Sequence, residues 1–272
     1  MPIIPRPIAP ILGRSIMSFD HHKAKQGCQR TPMAEFRDQQ ELKQLILVTA
    51  LSLCFDSGED FLLEEQIFAN GFAPLEDYSK YCIAKLIDYG AVEFKTLEPQ
   101  LVDCRDDKFL FVKSPLKPGE YLDKFVSENA DKTIALLNES ASTRSSLREF
   151  YREVMCCECI EYANYYAEKS GFKITAAHYN NAKLKLLSLE LSSEKINALL
   201  WRAVKNLAPN KNEFRESVNF DEITDLAFNI YVRYKRSNVY FEGYRRPNCL
   251  NLSMLSKILE LYLGLAMEIE DS

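Results

Sequence analysis

The chain has 272 residues, 47% hydrophobic and 27% charged, with 34 Lys+Arg against 39 Asp+Glu for a formal net charge of −5. That length and apolar content are enough for one large core or two modest ones, and they exclude a chain disordered throughout. The acidic balance excludes a uniformly basic polyanion binder and leaves only a regional basic face.

Residues 1–34 are expected to be a flexible tail or an over-extended gene model, with Met17 and Met33 as alternative starts. Four prolines stand in the first ten residues, and no small-x-small cleavage site precedes the polar run 21–30, which argues against a signal peptide. The longest apolar stretch, 45–55, is interrupted by Thr49 and Ser52 and is too short to span a bilayer, which takes about 20 residues. A cytoplasmic protein with no membrane partner is the expectation.

Over 38–55, Leu42, Leu45, Ile46, Leu51 and Leu53 make a helix apolar nearly all round, and therefore buried. After Ser57-Gly58, the residues Phe61, Leu62, Ile67 and Phe68 read as a second, short helix ended by Asn70-Gly71. A third follows Pro74, where Leu75, Tyr78, Cys82 and Leu86 recur at steps of three and four until Gly90 stops it. The period then changes: 91–95 alternates, 101–104 is a second short run, and 108–113 (KFLFVK) is a third, with Pro99 and Arg105-Asp106-Asp107 between them.

Three helices followed by a small antiparallel sheet over 38–113 resemble a winged helix, the helix-turn-helix variant whose hairpin forms the wing. The resemblance implies that 75–88 would be the groove-reading helix. That helix carries Glu76, Asp77 and Asp88 against Lys80 and Lys85. A negative helix is repelled by phosphate, so the expected use of this domain is protein contact or dimerisation.

The winged-helix-like domain is placed at 35–115, a helical linker at 116–143, and an all-α domain at 144–272, making the chain mainly α. In the last part, Leu147, Phe150, Val154, Cys157 and Ile160 mark a long helix to Ser170-Gly171. Residues 178–191 form another, and Ser192 or Ser193 caps a third that is stopped by Pro209. Asp221 opens a fourth, and a largely apolar helix over about 252–269 suits a central or dimer-forming element. The segments Trp201-Arg202-Ala203-Val204-Lys205 and Tyr244-Arg245-Arg246-Pro247-Asn248 are similar to a pattern recurring in uncharacterised bacterial proteins, a resemblance that implies no activity.

Charge divides unevenly. Residues 1–143 carry 16 basic and 22 acidic side chains, residues 144–247 carry 17 and 13, and residues 248–272 carry 1 and 4. Two features concentrate the basic excess. Lys195, Arg202 and Lys205 fall within roughly 80° of helical arc, leaving Leu199 and Ala203 for the core. Residues 233–246 (RYKRSNVYFEGYRR) hold five cations, Arg233, Lys235, Arg236, Arg245 and Arg246, interleaved with Tyr234, Tyr240, Phe241 and Tyr244. Guanidinium groups on phosphate and rings stacked on bases are how such a mix holds DNA or RNA. A solvated helix face, or rings that anchor the segment to the core, would leave the same pattern.

No catalytic residue, metal or cofactor is expected. Cys28, Cys54, Cys82 and Cys104 are scattered, and only His178 and Cys249 are candidates to join Cys156, Cys157 and Cys159 as metal ligands. Cys156, Cys157 and Cys159 include a C-x-x-C spacing with no second ligand pair for zinc, so buried thiols are the expectation. His21, His22 and His178 fit no hydrolytic triad. Glu93 and Lys95 have the E-x-K spacing of metal-dependent nucleases, with Asp77 or Asp88 as the second carboxylate and Asp106-Asp107-Lys108 as a similar fragment. The expected function is non-catalytic nucleic-acid association or regulation. The alternatives are a protein–protein adaptor or homodimer that does not bind nucleic acid, and a metal-dependent nuclease using Glu93 and Lys95.

Overall fold

The computed structural model of the chain describes residues 32–54, 61–95, 109–112, 122–175, 179–208 and 217–271. The expected strand at 101–104 and the fragment Asp106-Asp107-Lys108 lie outside these residues, as do residues 1–31 of the expected tail with His21, His22 and Cys28, and also Cys104 and His178; residues 32–34 of that tail are instead the opening of a helix. Among the described residues the protein is mainly helical, with two small sheets. It divides into two compact units. One contains the described residues up to Tyr151 and those from Ser253 onward; the other is Arg152–Leu252.

The first unit begins with α1 (Pro32–Ser52). Its run from Ile46 to Ser52 is buried without a break, as expected of a helix with no polar face. Then come β1 (Phe61–Leu63), α2 (Glu64–Ala69), α3 (Glu76–Asp88), β2 (Val92–Lys95), β3 (Phe109–Val112) and α4 (Leu122–Glu139). Strand β3 lies between β1 and β2, antiparallel to both, with Leu62 opposite Leu110 and Phe94 opposite Leu110 on the other side. Phe61 and Leu62, expected in the second helix, are therefore strand. Three residues are too few to display a period, and a partner strand nearly fifty positions away decides their conformation.

Gly90 closes α3 in the left-handed region at φ +68°. The Ala91 N–H donates to Leu86 C=O (2.9 Å) and the Tyr89 N–H to Lys85 C=O (2.9 Å), the hydrogen-bonding of a glycine-terminated helix. α5 (Ala141–Lys169) gives its first turns, including buried Leu147 and Phe150, to this unit. α9 (Met254–Asp271) packs on α1 and α4. Its start is fixed by the Met254 and Leu255 N–H groups, which donate to the Gly71 and Phe72 carbonyls at 2.8 and 3.0 Å. Leu255, Ile258, Leu259, Tyr262 and Ala266 are the buried face. The final apolar helix thus packs into the core that also holds α1.

The second unit holds the rest of α5, followed by β4 (Lys173–Thr175), α6 (Tyr179–Leu187), α7 (Ser193–Leu207), β5 (Ser217–Asn219) and α8 (Phe220–Arg236). α8 packs against both α6 and α7. Burial of Ile196, Leu199, Leu200, Ala203 and Val204 from α7 with Phe220, Ile223 and Ala227 from α8 makes the core. The Asn219 side chain accepts from the Asp221 N–H and starts α8. The parallel pairing of β4 with β5 was not expected in a half that reads as helical with one irregular insert. Among the described residues no helix is long and apolar enough to cross a membrane.

Candidate polyanion-binding surface

All ten residues singled out in the sequence lie in the second unit. Helix α7 buries Ile196, Leu199, Leu200 and Ala203, so the step of three and four that fills the core turns Lys195, Trp201, Arg202 and Lys205 away from it. Helix α8 ends with Arg233, Lys235 and Arg236 in its last turn, where cations favourably meet the negative end of the helix dipole. The chain leaves α8 through Asn238 at φ +49°, a conformation Asn tolerates. The Val239 N–H donates back to Tyr234 C=O at 3.1 Å.

From there, residues 239–246 fold onto α7. The Tyr244 N–H donates to Glu194 C=O (2.8 Å), and Gly243 passes so close that a Cβ would meet Glu194 Cβ at 2.7 Å and its carbonyl carbon at 2.9 Å. Only a glycine permits this approach.

The docking brings cations and rings together. Tyr234 stacks on Phe241, with ring centroids 5.1 Å apart. The Arg202 guanidinium hydrogen-bonds the Tyr234 hydroxyl and lies 5.0, 5.9 and 6.0 Å from the Tyr234, Phe241 and Tyr244 centroids. Lys195 Nζ sits 5.5 Å from Tyr240 and 5.9 Å from Phe241. Lys205 Nζ is 4.2 Å from Trp201, whose ring meets Tyr244 edge-on at 5.1 Å. Each such contact contributes about 0.5–1 kcal/mol where it is exposed. Lys195, Arg202, Lys205, Tyr240 and Tyr244 therefore belong to one cluster, joined by Trp201, Tyr234 and Phe241. Tyr240 is 78% exposed, with a ring open to solvent.

Arg233, Lys235 and Arg236 are exposed on either side of Tyr234 in the chain, and no carboxylate among the described residues forms an ion pair with them. Arg245 is nearly fully exposed. Among the described residues it pairs with Glu194, which is 4.0 Å away and itself exposed, an arrangement contributing little.

Arg246 is different. Its side chain is 13% exposed and turns inward against α5. Nε donates to Leu250 C=O and Nη1 to Glu158 C=O, both at 2.9 Å. Nη1 also lies 2.9 Å from the Glu158 carboxylate, and Nη2 pairs with Glu161. Glu158 is buried to 1% exposure. Burial pushes the Glu161 carboxyl above its ordinary range, with Glu158 adding to the rise and Arg246 opposing it. Arg246 is a structural clamp between the insert and α5, and its guanidinium is occupied.

The cysteine cluster is buried. Burial pushes the Cys156 thiol up to about 12 and Cys159 well above its usual range. Among the described residues no three His, Cys, Asp or Glu side chains are grouped to hold a metal ion. Glu93 stands on β2, with Asp77 and Asp88 at opposite ends of α3.

The residues missed by sequence reasoning are Glu158, Glu161, Gly243 and Asn197, whose amide contacts the Tyr244 carbonyl at 3.5 Å. The single glycine inside the basic-aromatic segment was the one signal available for them. In comparisons with known protein families, curated proteins and solved structures, the chain matches none.

Proposed function

We propose that this is a non-catalytic, nucleic-acid-associated or regulatory protein whose second unit holds the polyanion. The observation that supports this reading is the convergence of Lys195, Arg202 and Lys205 with the rings of the 239–246 insert. Exposed Arg233, Lys235, Arg236 and Arg245 supply further positive charge. Tyr240 offers an open ring beside Lys195, the combination of stacking surface and backbone cation that suits an unpaired strand. Arg246 is left out of the binding set because its donors are already used.

The first unit is read as winged-helix-like. The order α1-β1-α2-α3-β2-β3, with β3 central and β2–β3 as the wing hairpin, supports this. Its α3 is not suited to a phosphate-lined groove: Lys80 pairs with Glu76 at 2.6 Å and Lys85 lies 3.7 Å from Asp88. Those pairings favour a second reading, in which this unit contacts protein.

Fluorescence anisotropy with labelled single- and double-stranded oligonucleotides tests the proposal. Four phosphates neutralised by Arg233, Lys235, Arg236 and Arg245 would give a slope of about −2.8 for log K against log salt on a single strand. That is an affinity loss of about 50-fold between about 50 and about 200 mM salt. The fourfold alanine variant should lose most of the affinity and flatten the slope. Absence of binding to any oligonucleotide at low salt would leave the protein-contact reading in possession.

A further inference from the structure

The first unit contains a groove that the polyanion reading does not use. It has a volume of about 480 Å³, within the range typical of small-molecule sites. Helix α1 supplies one wall, the Tyr89-Gly90-Ala91 turn the second and α4 the third. Leu45, Val48 and Tyr89 make a partly apolar floor, while Arg37 from α1 and Lys132 from α4 bring positive charge to the rim against the single carboxylate of Glu41. Both cations are exposed, and neither forms an ion pair among the described residues.

Asn129 adds an independent sign. It lines the groove and is only 5% exposed, and its amide nitrogen has no hydrogen-bond partner among the described residues. A buried donor without a partner costs free energy, and an acceptor on a bound molecule would relieve that cost.

We infer that this groove binds a small organic anion carrying an apolar ring. Its phosphate or carboxylate lies between Arg37 and Lys132, an acceptor atom meets the Asn129 amide, and the ring rests on Leu45, Val48 and Tyr89. The second wall is the turn that ends α3, rigidly closed by the Tyr89 and Ala91 hydrogen bonds. A ligand seated there touches the end of the helix assigned to partner contact, which makes the groove a site for an effector.

Titration calorimetry on the full chain decides the matter with three probes: phenyl phosphate, benzyl alcohol and inorganic phosphate. Phenyl phosphate should bind, and each of the others at least about tenfold more weakly, because each lacks one half of the recognition. Arg37→Ala and Lys132→Ala should each weaken phenyl phosphate about tenfold, the size of one charge-assisted contact. Asn129→Leu should weaken it similarly while leaving Tm unchanged or raised, since it removes an unsatisfied amide and keeps the branched shape. The fourfold variant of the second unit (R233A, K235A, R236A, R245A) should bind phenyl phosphate as the native chain does, even if oligonucleotide binding fails. The inference is overturned if phenyl phosphate does not bind at millimolar concentration, if inorganic phosphate binds as tightly, or if binding ignores the Arg37 and Lys132 substitutions.

Discussion

Replacing Arg246 by Ala separates a clamp from a ligand-binding cation, two roles that look identical in sequence. The side chain is 13% exposed, and its donors are divided among the Leu250 carbonyl, the Glu158 carbonyl and the carboxylates of Glu158 and Glu161. Removing it leaves Glu158, at 1% exposure, without its counter-charge. Breaking a buried pair in this way costs about 3–5 kcal/mol. Glu161 is partly solvated and screened, which argues for the lower end, about 3 kcal/mol.

For a unit of this size each kcal/mol moves Tm by about 4–8 °C, so the melting transition should fall by more than about 10 °C. Trp201, the one tryptophan of the chain, lies in the second unit and reports its unfolding by fluorescence. Arg233→Ala, on the surface, should cost no more than about 0.5 kcal/mol. Oligonucleotide affinity should show the opposite ranking, reduced by Arg233→Ala and unaffected by Arg246→Lys under conditions where that variant remains folded. Combining Arg246→Met with Glu158→Gln and Glu161→Gln should recover most of the lost stability, because the buried charges leave together. The reasoning fails if Arg246→Ala costs less than about 1 kcal/mol while weakening oligonucleotide binding as much as Arg233→Ala does.

Three further outcomes can be measured. Gly243→Ala drives a methyl group against Glu194 and should destabilise by about 1–3 kcal/mol, with a changed Trp201 emission spectrum as Tyr244 leaves its edge. The raised Glu161 pKa means that the folded state binds this proton more tightly than the unfolded state. Its contribution is complete below the unfolded carboxylate pKa and is lost as pH climbs through the higher folded value, so the stability gap between native protein and Glu161→Gln should shift against the native protein over that interval in urea titrations. Alkylation of the native protein with iodoacetamide at neutral pH, mapped by mass spectrometry, should modify exposed Cys249 and spare Cys54, Cys156 and Cys159. Burial puts the first two of these at about 12 and the third well above normal.

Helices of this chain were legible wherever a long period had room to show. The stripe Leu75, Tyr78, Cys82, Leu86 and its Gly90 stop gave α3 nearly to the residue, and the apolar second half of α1 implied the burial seen from Ile46 to Ser52. The three-residue strands were not legible, because β1, β4 and β5 exist through main-chain bonds to distant partners rather than through any pattern of their own. The destination of α9 was hidden for a related reason. An apolar stripe states how much surface a helix must bury and leaves the choice of core to the Gly71 and Phe72 carbonyls that receive its first N–H groups.

The basic-aromatic segment shows where charge counting stops being informative. Arg245 and Arg246 are neighbours in sequence, equal in charge and equally compatible with a phosphate contact. Docking through Gly243 and Tyr244 sends Arg245 to solvent and Arg246 to two carboxylates on α5. Glu158 and Glu161, three apart on that helix, share the face that receives it, and from sequence alone they read as ordinary helix acids. The usable positive surface is thus smaller by one than the composition of 233–246 states. The charge withdrawn from it is the same charge that fixes the insert on which Tyr240 and Tyr244 stand.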